Sequence, residues 1–363
     1  MAAVIDQYTS EKIRILGLLL TLIVIVHHAS NLQFAPAGGP AGWVHWTQGI
    51  FHYGLRALTV PFFFVVSAWF LCAKPDFAAS WPGEVRKRVR SLLLPFLAWS
   101  AFWIAVLVVA QSIPALAARM GRAPITLADV PRLLVIDIIP HPLWYLRDLF
   151  VLTLAAPAIV WLMRRDWGMV AYFLVATVLL YSTSSMQVRE VGDLFAFGTG
   201  VALALRQPNF ITPPAATRAM LYVIVGALLA LNVWWVGRYG FESPVILHSA
   251  AMIGVPATWL LYDDARRWLH RPWLLAASEY AILLYICHEP LVTFVRKALL
   301  VVFGTSSVGL TATWLATIVA VIGGLVLTTV VAARWLPGTL ALVTGGRSGR
   351  AVPESGKAAA QAA

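Results

Sequence analysis

Two adjacent histidines, His27 and His28, close the first long apolar run of the chain, Arg14 to Ser30 (RILGLLLTLIVIVHHAS). An ionisable pair at the end of a membrane-length helix is costly in hydrocarbon, and such residues mark functional positions. A neutral imidazole suits one task above others at neutral pH: accepting a proton from a reacting hydroxyl. At about 100° and 1.5 Å per residue, His28 lies ~40° around the helix from Arg14 and about 21 Å along it. His27 falls ~140° off that face. One face therefore runs from a cation at the start of the helix to an imidazole near its far end. The competing reading is a pair of interfacial histidines that only mark where the helix stops.

Further ionisable residues interrupt later apolar runs. Arg56 stands four residues after His52; Arg147 and Asp148 share a fourth run, Asp193 lies in a sixth and His248 in an eighth. Glu279, His288 and Glu289 fall in a ninth. Contact with lipid is unfavourable for all of them, so they should face a shared interior, some in structural pairs such as Asp148 or Glu279 with an arginine. Arg56, Arg147, Tyr285 and His288 are the foremost candidates for the wall of a pocket, whereas Trp144 and Tyr145 are expected to pack or sit at the interface. Adjacent residues on a helix diverge by about 100°, so His288 and Glu289 do not make a metal pair. No HExxH pattern or cysteine pair is present, and no metal is expected. Cys72 and Cys287 lie in apolar runs and read as small packed hydrophobes.

The elements that must hold these residues are membrane helices. Of 363 residues, 60% are hydrophobic and only 12% charged, against about a quarter charged in soluble domains. Ten spans are expected, at approximately 13–30, 49–73, 91–113, 143–163, 167–184, 191–207, 219–237, 245–262, 273–297 and 308–334. They form an all-α, polytopic transmembrane domain over 1–344, followed by a polar tail, 345–363, expected to be disordered and cytoplasmic. The first run ends without a small-residue cleavage site and is not read as a signal peptide. Between Ile113 and Leu143 the stretch LADVPRLLVIDIIPHPLW is too short in its apolar half to span and is expected along the membrane surface.

The formal charge of +11 invites a nucleic-acid reading, but its distribution argues otherwise. Most lysines and arginines, including the run Arg86-Lys87-Arg88-Val89-Arg90, fall in segments that are inside if the amino terminus is cytoplasmic. That is the positive-inside pattern. It predicts a multi-pass inner-membrane (plasma-membrane) protein with both termini cytoplasmic, the lipid bilayer as partner and no nucleic acid. The absence of an evident internal repeat weighs against a transporter built from duplicated halves.

Five stretches together resemble the acyltransferase family 3 membrane proteins. The opening helix is similar to that family's first span, and Pro61 to Leu71 (PFFFVVSAWFL) to its FFF-hydrophobic-Ser-Gly signature. Arg86 to Ser100 (RKRVRSLLLPFLAWS) resembles its basic loop running into a Leu-Pro-aromatic span, and His141 to Phe150 (HPLWYLRDLF) its His-Leu-Trp-Phe-Leu segment. Ser278 to Val292 (SEYAILLYICHEPLV) resembles its late Ser-Tyr-His helix. Each stretch is degenerate alone; the ordered set is specific. There are departures. The family places an arginine eleven residues before its catalytic histidine, whereas counting back from His28 reaches Gly17, with Arg14 three residues earlier. The Ser-Gly pair is Ser67-Ala68, and Pro142 is inserted after His141.

The resemblance implies an integral membrane O-acyltransferase that moves an acyl group, commonly acetyl, from acyl-CoA (acetyl-CoA) to a hydroxyl of a sugar or cell-envelope glycan. It implies His28 as general base, with His27 the alternative, and places the donor on the cytoplasmic side. Arg14, Arg86, Arg88 and Arg90 are then candidates for the donor's phosphates, since guanidinium pairs well with phosphate. Arg56, Arg147, Tyr285 and His288 are the remaining candidate substrate-binding residues. The rival class is a proton- or ion-coupled transporter or flippase.

Overall fold

Asp6 starts the first helix by accepting a hydrogen bond from the Thr9 amide at 2.7 Å, and helix α1 then runs Gln7–His28. The computed structural model describes residues 6–345 except 35–41, 75, 115–116, 118–122, 183–187 and 207–211, and only the backbone of 188–191. The expected disordered tail lies outside the described residues from 346 onward. Among the described residues every regular element is helical. In order after α1 come α2 (Trp43–Gly49), α3 (Thr59–Cys72), α4 (Phe77–Arg88), α5 (Leu94–Gln111) and α6 (Val130–Val135). They are followed by α7 (Trp144–Met163), α8 (Asp166–Ser182), α9 (Val188–Arg206), α10 (Ala215–Tyr239) and α11 (Pro244–Asp264). Two short pieces, α12 (Arg266–Leu269) and α13 (Pro272–Ala277), precede α14 (Ala281–Phe303), α15 (Ser307–Trp335) and α16 (Pro337–Val343).

Long helices occupy all ten expected stretches. Among the described residues seven stretches are long and apolar enough to cross a membrane by length and composition. The others are the shorter α8, the more polar α9 and the kinked α14. Many large apolar side chains stay exposed on outer faces, Val109, Leu174, Val301 and Val319 among them. That is the pattern of helices whose surrounding solvent is lipid. The protein is a multi-pass all-α membrane protein.

The sequence supplies the breaks as well as the helices. Ser243 caps α11 ahead of Pro244, Ser306 caps α15, and Gly240 ends α10 at φ +80°, a left-handed turn that favours glycine. Pro290 lacks an amide hydrogen and disfavours helical geometry in the residue before it. Glu289 accordingly sits at φ −103°, ψ 138° inside α14. Between α2 and α3 the chain is wound as a π-turn, Ile50–Gly54, and then a 3-10 turn, Leu55–Leu58. Such irregular turns re-aim side chains, here His52 and Arg56.

The core gathers around α1, α3, α7, α9 and α14, with Ile15, Ile25, Phe62, Phe64, Leu146, Phe197 and Leu284 all buried. Helix α9 crosses α3 at very short range. A β-carbon on Gly200 would stand 2.2 Å from the Val65 carbonyl oxygen and 2.7 Å from Ala68 Cβ. Small residues at a crossing allow this in membranes. The close approach beside Ala68 is made possible by a glycine on the opposite helix.

Several charges on the helices are paired. Lys12, 1% exposed, donates to Asp263 Oδ2 at 2.8 Å and lies 3.7 Å over the Trp259 ring, tying α1 to α11. Arg147 pairs with Asp148, Arg14 with Glu279, and Arg56 with Glu242 of the α10–α11 loop.

Candidate active site

The last turn of α1 is fixed by three other elements. Trp314 Nε1 of α15 donates to Val26 O at 3.1 Å. Arg296 Nη1 of α14 donates to His28 O at 2.9 Å and to Ser30 O at 2.7 Å. Ser30 Oγ lies 2.6 Å from His52 Nδ1 on the π-turn, and the same nitrogen is 3.2 Å from His27 O. The final carbonyls of α1, left over by the helix itself, are thereby occupied, and the two imidazoles at its end are held in place.

Six of the eight histidines gather here; His45 and His270 lie elsewhere. The His27 ring packs 4.6 Å from His28 and 4.4 Å from His52, and His28 stands 5.1 Å from the fully buried His288. His288 Nδ1 is 2.7 Å from Tyr285 O and 3.2 Å from Leu284 O, two acceptors that require the proton on that nitrogen. Its Nε2 is then a bare acceptor without a hydrogen-bond partner, and His27 Nδ1 is likewise buried without a partner.

Two cavities meet at this cluster. The first, about 450 Å³, is lined by His27, His28, Arg56, Trp144, Glu242, His248 and other residues. The second, about 460 Å³, is lined by His28, His52, Glu289, Thr293 and Arg296 together with the Ile138–Pro142 segment. Among the described residues His28 lines both, and only His141 and Pro142 do the same. The chambers are of ligand-binding size, with hydrogen-bonding groups on apolar walls. A base on the partition between two chambers is placed to take a proton from a group in one while chemistry proceeds in the other. Among the described residues no three His, Cys, Asp or Glu side chains converge closely enough to hold a metal ion.

The candidates read from the sequence divide into three sets. His27, His28, Arg56 and Tyr285 line the first chamber, and His288 supports His28 from behind. Tyr285 donates its hydroxyl proton to Pro142 O at 2.6 Å and so fixes the inserted proline at the chamber wall. Arg14 lies at the other end of α1, bound to Glu279 and 3.4 Å from Leu275 O, outside both chambers. Arg147 is spent on Asp148 and on the Val135 carbonyl and lines neither chamber. Of the basic run, Arg86 and Arg90 are exposed, while Arg88 turns inward. Its electrostatic neighbours are Tyr145, Glu84 and Cys72, and among the described residues no carboxylate lies within 4 Å of it.

Glu242 and Arg296 were not singled out by sequence reasoning, and Glu289 was named only as one of several interior ionisable residues. Glu242, in the loop before α11, bonds Arg56 at the first chamber; its signal was a lone acid in the otherwise short polar turn RYGFES. Glu289 and Arg296 are seven residues apart, about two helical turns, a spacing that already puts them on one face of a regular helix. Trp144, expected to pack, lines the first chamber.

Comparison with known proteins identifies the family. A family model for an acyltransferase domain, that of acyltransferase family 3, matches residues 15–333. The succinoglycan biosynthesis protein ExoH of Rhizobium meliloti (strain 1021) is 24% identical over 297 residues, covering 79% of each chain. No solved structure gives a significant match. The chain belongs to acyltransferase family 3 and is a membrane O-acyltransferase.

Proposed function

We propose that this enzyme transfers an acyl group, acetyl in the first instance, from acyl-CoA to a hydroxyl of a sugar in a cell-envelope glycan, with His28 as general base. The observation that carries the reading is the position of His28 on the wall common to both chambers. Similarity to a succinoglycan biosynthesis protein supports a glycan acceptor. The positive-inside pattern supports an inner-membrane location with cytoplasmic termini and a donor arriving from the cytoplasm.

In the reaction His28 removes the acceptor's hydroxyl proton as the oxygen attacks the thioester carbonyl carbon. The carbon–oxygen bond forms, the carbon–sulfur bond breaks, and the imidazolium returns its proton to the departing thiolate. Charge that builds on the carbonyl oxygen needs a donor nearby. Arg56 lines the chamber with His27 and His28, and its Nε is buried without a partner. On the donor side, the phosphates have candidates in Arg14, Arg86, Arg88 and Arg90; the inward turn of Arg88 favours that residue within the basic run.

The test uses full-length protein in lipid nanodiscs with acetyl-CoA and extracted envelope polysaccharide, measuring thiol release and acetyl transfer. Loss of both in His28→Ala, with activity retained in His27→Ala, is the expected result. Full activity in His28→Ala with loss in His27→Ala assigns the base to the neighbouring ring. Solute movement with no thioester consumption would favour a transporter.

A further inference from the structure

Helix α14 changes direction beside the catalytic cluster. The proline break frees Glu289 from helical geometry, and from there Glu289, Thr293 and Arg296 recur at i, i+4 and i+7, one face of the continuing helix. All three line the second chamber with His28. Their contacts form a chain. Arg296 grips the carbonyls of His28 and Ser30, Thr293 Oγ1 donates to Glu289 Oε1 at 3.2 Å, and that carboxylate oxygen stands 3.8 Å from His28 Nδ1. The Glu289 side chain is 13% exposed. Among the described residues it is the carboxylate within 4 Å of a His28 ring nitrogen.

The surroundings of His28 explain why a carboxylate matters there. His27 precedes it on α1, His52 and Arg56 face it from the turns before α3, His141 from the segment before α7 and His288 from α14. Arg296 is bonded to its carbonyl. Arg56 and Arg296 are cations and the other rings offer no negative charge, so a positive charge created on His28 during proton transfer has like charges nearby. Glu289 supplies the opposing charge.

We propose that Glu289 is the positioning carboxylate of His28. It accepts a hydrogen bond from Nδ1–H, which leaves Nε2 as the bare nitrogen that takes the hydroxyl proton, and it balances the imidazolium that forms. The inference rests on the assignment of His28 as base. A 3.8 Å separation is longer than a hydrogen bond, and catalytic hydrogen bonds of this kind commonly shorten in the loaded enzyme. Thr293 and Arg296 are the residues that hold the carboxylate and the end of α1 at matching height.

The experiment compares Glu289→Gln, Glu289→Asp and Thr293→Val in full-length protein in nanodiscs, with acetyl-CoA and extracted polysaccharide as probes. Glu289→Gln is expected to lower kcat about 100-fold, the scale on which an orienting carboxylate or a general base acts, with KM for acetyl-CoA within about threefold. Glu289→Asp recovers at least about tenfold of that loss, and Thr293→Val costs severalfold in kcat. In a His28→Ala background, Glu289→Gln lowers the residual rate no further, because a positioning group has nothing left to position. Wild-type kcat in Glu289→Gln, an effect confined to KM, or an additional loss in the His28→Ala background overturns the proposal. If Glu289→Gln does not fold, wild-type kcat in both Glu289→Asp and Thr293→Val overturns it, and reduced kcat in both supports it. Full activity in His28→Ala removes the base assignment itself and is distinguishable from all of these.

Discussion

Gly200→Ala tests whether the α3–α9 crossing sets the shape of the first chamber. The added carbon would lie 2.2 Å from the Val65 carbonyl oxygen, 2.7 Å from Ala68 Cβ and 3.0 Å from the Trp69 amide nitrogen. Two of these are backbone atoms, so rotamer changes offer no relief. Restoring ordinary contact requires the helices to part by about 1 Å, and overpacking of this kind costs about 1–3 kcal/mol. Helix α3 carries Thr59, Val60 and Pro61 into the chamber wall, and a misplacement of about 1 Å near reacting groups lowers rates by up to about 100-fold. The assay pairs thermal unfolding in nanodiscs with the acetyl-transfer rate. Gly226→Ala serves as control, because nothing lies within 4 Å of its added carbon and alanine is the better helix former. A fall on the order of 5 °C with a reduced kcat is expected for Gly200→Ala, and no loss for the control. Gly200→Ala unfolding with wild type and turning over at the wild-type rate would refute the reasoning.

Other substitutions separate roles that composition alone leaves mixed. Arg88→Ala should raise KM for acetyl-CoA about tenfold or more, the value of a charge-assisted hydrogen bond, while Arg86→Ala and Arg90→Ala stay within about twofold; equal effects for all three would refute the inward role of Arg88. Tyr285→Phe leaves the buried Pro142 carbonyl unsatisfied and should cost about 1–3 kcal/mol in unfolding measurements; unchanged stability would show that the bond to Pro142 holds nothing. Lys12→Met should cost little, about 1 kcal/mol or less, because Asp263 is 38% exposed and keeps the Tyr8 hydroxyl at 2.6 Å, whereas Lys12→Ala also empties the space that the buried side chain fills. A loss as large for Met as for Ala would place the stability in the charge.

The helices were legible in the sequence because membrane spans are written as length and apolarity, which survive any arrangement of neighbours. The ends of α1 were legible for the same reason: a costly residue at a helix terminus announces itself. Partnership was not legible. Arg14 and His28 share a face of α1, yet the arginine meets Glu279 and the histidine meets groups from four other segments. Helical phase says which way a side chain points and nothing about which helix waits there. Arg147 was a fair pocket candidate on cost alone, and its neighbour Asp148 met that cost within one turn.

The lesson is sharpest at Glu289. Read as part of a regular helix, it lies about 100° from His288 and belongs to a different face, so the two look like separate features. Proline at 290 changes the backbone at 289, and the carboxylate turns to the same imidazole that His288 supports from behind. Neither residue alone identifies the site. What marks the candidate site is that both stand beside one imidazole, the His288 ring 5.1 Å from that of His28 and the Glu289 carboxylate 3.8 Å from its Nδ1.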